Sequence, residues 1–111
     1  MIEVQRRKHF DSLLGQLQEG AGELVTEISK AKRFGLHEKY TPEHPTNLQR
    51  VINEVKDLVS IANIIQEVYD IDFGVEILDD EYLSMKKEKV IFYEELSERL
   101  GLLELEENYG N

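Results

Sequence analysis

The chain has 111 residues, of which 41% are hydrophobic, and this suits one small domain with its own core. Its formal net charge of −10 argues against a nucleic-acid polymer or an anionic membrane as the main partner, because neither binds a like-charged surface without a concentrated basic patch. The short basic runs "KAKRF" and "KKEK" are not dense enough to form such a patch. The absence of cysteine excludes disulfides and thiol chemistry, so any metal must be bound by oxygen or imidazole.

The first predicted element is an amphipathic helix over roughly residues 3–33. Its apolar residues lie three and four positions apart: Phe10, Leu13, Leu17, Ala21, Leu24, Ile28 and Ala31. Gly15, Gly20 and Gly22 interrupt it. Since an interior glycine costs up to about 1 kcal/mol relative to alanine, we expect a kink or break between Gly15 and Gly22 unless close packing compensates.

A loop over residues 35–45 contains both prolines, and a second helix follows it. "TNLQ" has the form of a capping box, with Thr46 as N-cap and Gln49 three residues later, and the helix is predicted to run to about Tyr69. At about 100° per residue its solvent arc is only ~80° wide. The polar residues in that arc are Gln49, Asn53, Lys56, Ser60, Asn63 and Glu67. We expect the remaining side chains of this helix to be buried or nearly so.

"DIDFG" ends the second helix, and a last helix is predicted from about Asp80 to Leu100, with acidic residues first and Gly101 as C-cap. The tail, residues 103–111, is acidic and is expected to fray. No strand pattern competes, so the predicted fold is all-α, with one domain over residues 1–111. Because there is neither a signal peptide nor an apolar run of about 20 residues, we expect a cytoplasmic protein.

Glu54 and Asp57 lie at the edge of an apolar stripe of the second helix. Residues three apart on a helix are neighbours, so we expect both carboxylates to point into one small volume on the inward side. Two close, buried carboxylates repel each other and require a metal ion, a Lys or Arg, or a shared proton. A structural pair with Arg50 or Lys56 would explain them without a function.

The first helix carries a second set of acids, because Glu19, Glu23 and Glu27 lie four apart in one row. If antiparallel packing brings this row near Glu54 and Asp57, the resulting oxygen site suits Mg²⁺, or Mn²⁺, better than zinc or copper. The alternative is a solvated helix face with a nearby lysine as partner. The three histidines are not paired at ligand spacing and are expected at the surface: His9, His37 and His44.

Three segments together resemble a known family: "LQEGAGELVTEISKAKRFGL", "TNLQRVINEVKDLV" and "KKEKVIFYEELSERLG". Over roughly residues 13–101 the chain is similar to the MazG-like, all-α nucleoside triphosphate pyrophosphohydrolases. The resemblance implies a helical bundle whose four-helix units are completed by assembly into a homodimer or homotetramer. It also implies a Mg²⁺-dependent cleavage of nucleoside triphosphates between the α and β phosphates, which controls a nucleotide pool.

The family signature is E-x-x-E on one helix and E-x-x-D on the next, with the four acids binding magnesium. Glu54 and Asp57 match the second half, and Glu23 matches the second acid of the first half. Gly20 stands where the first acid belongs, which is a departure, whereas Glu19 matches an additional glutamate that often precedes the motif. The resemblance therefore assigns metal binding and catalysis to Glu19, Glu23, Glu54 and Asp57. The alternative is a catalytically degenerate helical protein that binds nucleotides or other proteins.

The resemblance also indicates which residues contact the substrate. Its candidates for the phosphates are Lys30, Arg33, Lys86 and Lys89, and its candidates near the base are Tyr93 and Phe34. Long cationic side chains on an acidic protein are more often solvated, and that alternative stays open for each lysine and arginine.

Overall fold

A computed structural model describes residues 8–74 and 80–105 of the chain. It contains three α-helices, α1 (His9–Phe34), α2 (Asn47–Tyr69) and α3 (Asp80–Arg99), and the described ranges contain no strand. This confirms the prediction of an all-α protein. Residues 3–7 of the predicted first helix and residues 106–111 of the acidic tail lie outside the described residues. The predicted start of this helix is wrong at Lys8, which is extended and precedes the first helical residue, His9.

The chain divides into two compact units, Met1–Val75 with α1 and α2, and Glu76–Asn111 with α3. The prediction of a single domain stays a prediction, as does the bundle type.

Helices α1 and α2 form an antiparallel hairpin. Near the start of α1 the Phe10 ring packs edge-on against the Tyr69 ring at the end of α2, with centroids 5.0 Å apart. In the middle, Gly20 faces Leu58. The most buried apolar side chains of the described residues belong to these two helices: Leu13, Ala31 and Ile65. The small core of this unit therefore lies along the α1–α2 seam.

Helix α1 continues through its three interior glycines without a break. A Cβ added at Gly20 would lie 3.2 Å from Leu58 Cδ2, closer than side chains ordinarily approach, whereas Gly15 and Gly22 have open space around them. The helix is therefore unbroken, and the exception stated for close packing applies at Gly20. At Gly20 the missing side chain allows a close approach of α2, and this packing compensates for the low helix propensity of glycine.

Local signals set the adjoining ends of α1 and α2 as expected. Gly35 follows α1 with φ of +100°, which favours glycine, and its N–H donates to the carbonyl oxygen of Ala31 at 2.9 Å. Thr46 is the N-cap of α2, since its Oγ1 accepts a hydrogen bond from the Gln49 N–H at 3.1 Å. The Gln49 side chain donates to Asn53 Oδ1 at 2.8 Å and makes no return bond to the Thr46 N–H, so only the Thr46 half of the predicted capping box forms.

The last two predicted helix ends are also confirmed. Asp70 ends α2 in the left-handed region, with φ of 53°. After α3, Gly101 has φ of +75° and its N–H donates to the Glu98 carbonyl, while the Leu102 N–H donates to the Ser97 carbonyl, both at 2.9 Å. These two bonds form a Schellman motif, which satisfies carbonyl groups of the last helical turn.

The surface of α2 differs from the expectation. Only Asn47 and Ile65 of this helix are buried, while Ile52, Val55 and Val59 form a stripe that is 38%, 45% and 47% exposed. The prediction that only a narrow polar arc faces solvent is therefore wrong for the single chain, because α1 covers only one side of the apolar surface of α2. Even so, no helix in the described ranges has the length and hydropathy needed to cross a membrane.

Candidate functional site

The acids of α1 and α2 meet at a cavity of about 600 Å³ on the α1–α2 seam. We call it the carboxylate cavity, and its lining residues are Glu19, Gly22, Glu23, Thr26, Glu27 and Glu54. The spacing of three and four residues places the acids of α1 along one side of that helix, and the antiparallel path of α2 brings Glu54 to them. The condition set for an oxygen site, that antiparallel packing brings the α1 row near Glu54, is therefore met, whereas the role of these acids stays a prediction.

Glu54 is the most perturbed acid of the cavity. It is half-buried, and its Oε2 is shielded from solvent and has no hydrogen-bond partner among the described residues. Burial raises the pKa of Glu54, and the neighbouring Glu23 side chain raises it further, followed by the charges of Asp57 and Glu27. Each of these causes favours the protonated form, so the site attracts a positive charge.

Glu27 is the second acid with an unsatisfied oxygen. Its side chain is only 13% exposed, and its Oε1 lies 3.6 Å from Lys30 Nζ and 4.0 Å from Arg50 Nη1. Its Oε2 is shielded from solvent and lacks a hydrogen-bond partner within the described ranges. The lysine partner expected for the α1 row is therefore present at Glu27, and Arg50 pairs with this acid of α1 rather than with the acids of α2.

Asp57 departs from the expectation. It is exposed and does not line the carboxylate cavity, although its charge contributes to the raised pKa of Glu54. Three residues turn a helix by about 300°, so Asp57 is rotated by roughly 60° from Glu54. This rotation carries it from the seam towards solvent, and the prediction that both acids point inward is wrong for Asp57.

Gly20, the position of departure from the family signature, does not line the carboxylate cavity. It faces Leu58, with the close approach described above. The position that carries the first acid in the signature is therefore a packing position in this chain.

The chemistry of the cavity fits a hard divalent cation, since its donors are carboxylate oxygens and those of Glu27 and Glu54 include buried ones without a partner. As the side chains stand, no three or more Asp, Glu or His residues in the described ranges are grouped so that they could hold a metal ion. The assignment of Mg²⁺ or Mn²⁺ stays a prediction.

A second cavity of about 430 Å³ opens beside the first, where α1, the loop and α2 meet. We call it the aromatic pocket, and it is lined by Lys30, Phe34, Glu38, Tyr40, Asn47 and Arg50. Two of the predicted substrate residues, Lys30 and Phe34, are brought together here. Arg33 is not among the lining residues, and its guanidinium carbon lies 5.6 Å from the centre of the Phe34 ring.

Sequence reasoning missed four residues of this pocket: Glu38, Tyr40, Asn47 and Arg50. Asn47 is buried, and its Nδ2 donates to the Gly35 carbonyl at 2.9 Å and to Glu38 Oε2 at 2.8 Å, which fixes the path of the loop. An aromatic residue beside two prolines in a connecting loop was the available signal, because loops held by a rigid scaffold often carry binding residues.

The remaining candidates for substrate contact lie on α3. Lys86, Lys89 and Tyr93 are all exposed, and they belong to the second unit of the chain. Their assignment to phosphate and base stays a prediction.

The histidines are exposed, as expected. The His9 Nδ1 lies 3.1 Å from the hydroxyl of Tyr69, and the His44 ring is hydrogen-bonded to Thr41. Neither of these two rings lines the carboxylate cavity or the aromatic pocket.

No protein-family model, curated protein or solved structure matches this chain. The resemblance to the MazG-like pyrophosphohydrolases therefore stays a prediction.

Proposed function

We propose that the protein is a Mg²⁺-dependent nucleoside triphosphate pyrophosphohydrolase, with Mn²⁺ as an alternative ion, which releases a nucleoside monophosphate and pyrophosphate. The observation that carries the proposal is the meeting of Glu54 with the acid row of α1, where two carboxylates each keep a buried oxygen without a partner. Leaving such oxygens unpaired costs stability, and a bound divalent cation would remove that cost.

Glu23, Glu27 and Glu54 would hold the ion once their side chains turn towards it, with Glu19 of the same cavity and Asp57 as further candidate ligands. When bound, the ion supplies charge neutralisation at phosphoryl oxygens and lowers the pKa of a water. Lys30 lines the aromatic pocket and lies beside Glu27 of the carboxylate cavity, where its ammonium group can contact a phosphate oxygen. Arg33, Lys86, Lys89 and Tyr93 remain further candidates for binding the triphosphate and base.

The proposal includes assembly as a homodimer or homotetramer. The exposed stripe of Ile52, Val55 and Val59 on α2 supports it, since contiguous apolar surface of this kind is typical of an interface. Packing of a second copy on this stripe would complete the four-helix unit that the family resemblance implies.

One observation favours a second candidate function. Because Gly20 packs against Leu58, the first acid of the signature is replaced by a helix–helix contact. This suits a catalytically degenerate protein that retains the helical fold for binding a nucleotide or another protein.

The test is pyrophosphate release with Mg²⁺ over a panel of common and modified nucleoside triphosphates. We expect Glu54→Gln and Glu23→Gln to remove both hydrolysis and Mg²⁺ binding while the helical content is retained, because neutral amides relieve carboxylate repulsion. Glu67→Gln, an exposed acid of α2 outside the cavity, is the matched control and should keep parental activity. Absence of pyrophosphate release across the whole panel would contradict the enzyme proposal.

Glu19 and Gly20 separate the two candidates. If Glu19 supplies the missing ligand, Glu19→Gln should reduce activity as severely as Glu23→Gln. In a degenerate protein, Gly20→Glu should instead raise Mg²⁺ affinity, provided that Leu58 yields by a few tenths of an ångström, and Gly20→Gln controls for the added bulk without charge. The acids of α1 form a solvated face if none of these variants differs from the parent in Mg²⁺ affinity or in pyrophosphate release: Glu19→Gln, Glu23→Gln and Gly20→Glu.

A further inference from the structure

We propose that the aromatic pocket binds the ring of a nucleoside phosphate, with Lys30 and Arg50 contacting its phosphate. The inference deepens the proposed function and rests on it for the identity of the ligand. It assigns ring stacking to Tyr40, hydrogen bonding of the base to Asn47 and phosphate contact to Arg50. It also orients the ligand, with its phosphate at the end of the pocket nearest the carboxylate cavity.

Two exposed aromatic rings, those of Phe34 and Tyr40, line the aromatic pocket. Phe34 is 58% exposed and Tyr40 is 81% exposed, although both line a cavity of about 430 Å³. Arg33 lies over the Phe34 ring, and His44 packs at right angles to the Tyr40 ring, with centroids 5.4 Å apart. Two large aromatic side chains kept in contact with solvent, each positioned by a neighbour, provide a surface on which a planar ring can stack.

Two cationic side chains, those of Lys30 and Arg50, lie at the end of the pocket nearest Glu27. Lys30 Nζ and Arg50 Nη1 both lie near the same oxygen of Glu27, at 3.6 Å and 4.0 Å. One carboxylate thus faces two cations, so Glu27 alone balances only one of these two positive charges. A phosphate bound by this pair would lie next to the acids proposed to hold the divalent ion.

Hydrogen-bond acceptors from Asn47 and Glu38 lie at the other end of the pocket. The two protons of Asn47 Nδ2 are given to the Gly35 carbonyl and to Glu38 Oε2, so the carboxamide has only its Oδ1 left for a ligand. Glu38 contributes a carboxylate on the same side. Amino and imino N–H groups of a nucleobase are suitable partners for these oxygens. The ligand is therefore oriented with its ring towards the loop and its phosphate towards Glu27.

The experiment is an NMR titration of the full chain without divalent metal, using guanosine monophosphate, guanosine and ribose 5-phosphate as probes. We expect the monophosphate to bind at least about tenfold more tightly than either fragment, because it alone combines stacking with a charged contact. Shifted resonances should include those of Tyr40, Asn47 and Arg50.

Variants should separate the two ends of the pocket. Tyr40→Ala should weaken the monophosphate and guanosine about fivefold or more and leave ribose 5-phosphate unchanged. Lys30→Gln should weaken the monophosphate and ribose 5-phosphate and leave guanosine unchanged. The matched controls are Tyr82→Ala, an exposed tyrosine of α3, and Lys32→Gln, an exposed lysine of α1, neither of which lines the pocket.

The inference is overturned if the monophosphate shows no binding, if ribose 5-phosphate binds as tightly as the monophosphate, or if Tyr82→Ala weakens binding as much as Tyr40→Ala. Its failure is distinguishable from failure of the proposed function. Pyrophosphate release together with nucleotide binding that ignores Tyr40 would contradict this inference alone. Binding that depends on Tyr40, without hydrolysis of any triphosphate, would contradict the enzyme and leave the pocket assignment intact.

Discussion

Comparison of Gly15→Ala with Gly20→Ala tests whether close packing at Gly20 stabilises the α1–α2 hairpin. Gly15 lies in the same helix with no atom within 4 Å of an added Cβ, so Gly15→Ala should gain the full helix-propensity difference, about 0.5–1 kcal/mol. For a chain of this size that corresponds to a rise in melting temperature of about 2–5 °C. Gly20→Ala gains the same propensity and loses the close approach.

The loss at Gly20 follows from the distance of 3.2 Å between the added Cβ and Leu58 Cδ2, with Leu58 Cγ at 3.6 Å. The leucine must shift by a few tenths of an ångström against its own neighbours, and overpacking of this kind costs about 1 kcal/mol. The two effects nearly cancel, and we expect Gly20→Ala to lie within about 0.5 kcal/mol of the parent.

A double-mutant cycle isolates the contact. In a Leu58→Ala background the obstructing atoms are gone, so Gly20→Ala should regain the stabilisation seen for Gly15→Ala, and the coupling energy should be about 0.5–1 kcal/mol. The assay is urea unfolding followed by circular dichroism at 222 nm, with equal slopes required across variants. If Gly20→Ala stabilises the parent as much as Gly15→Ala does, the packing account of Gly20 is refuted.

Three further measurements address other parts of the first unit. Because the pKa of Glu54 is raised in the folded state, the metal-free protein loses stability as pH rises above the ordinary pKa of 4.5. Glu54→Gln should therefore have a higher melting temperature than the parent at pH 7, and this difference should disappear near pH 4. Glu67→Gln should show no such trend. Thr46→Ala should cost about 1 kcal/mol in urea unfolding, because the Gln49 N–H loses its cap, and an unchanged midpoint would contradict this role. Light scattering should give a dimer or tetramer for the parent and a smaller species for Val59→Glu, whereas a monomeric parent would contradict assembly through α2.

Part of the candidate site could be predicted because helical spacing is a local property. The row of Glu19, Glu23 and Glu27 follows from their separation by four residues, and an antiparallel hairpin was enough to bring this row to Glu54. The same reasoning failed for Asp57, since it treated residues three apart as sharing one direction, and a rotation of about 60° is sufficient to carry a side chain from a seam to solvent.

The aromatic pocket could not be predicted from spacing. Tyr40 reaches it only because the loop is held by Asn47, through hydrogen bonds to the Gly35 carbonyl and the Glu38 carboxylate. Arg50 reaches it because Glu27, twenty-three positions earlier, lies across the seam. These are contacts between distant residues, and a pattern of neighbouring residues does not specify them.

The sequence by itself determined the end of α1, the start of α2 and the end of α3. Thr46, Gly35 and Gly101 act within one helical turn, through hydrogen bonds to residues three to five positions away, so their effect does not depend on the rest of the chain. Tertiary structure decided the meaning of Gly20, which sequence alone marks as a helix defect and a missing ligand. Its role depends on the distance to Leu58 on another helix, and only the packing of α1 against α2 sets that distance.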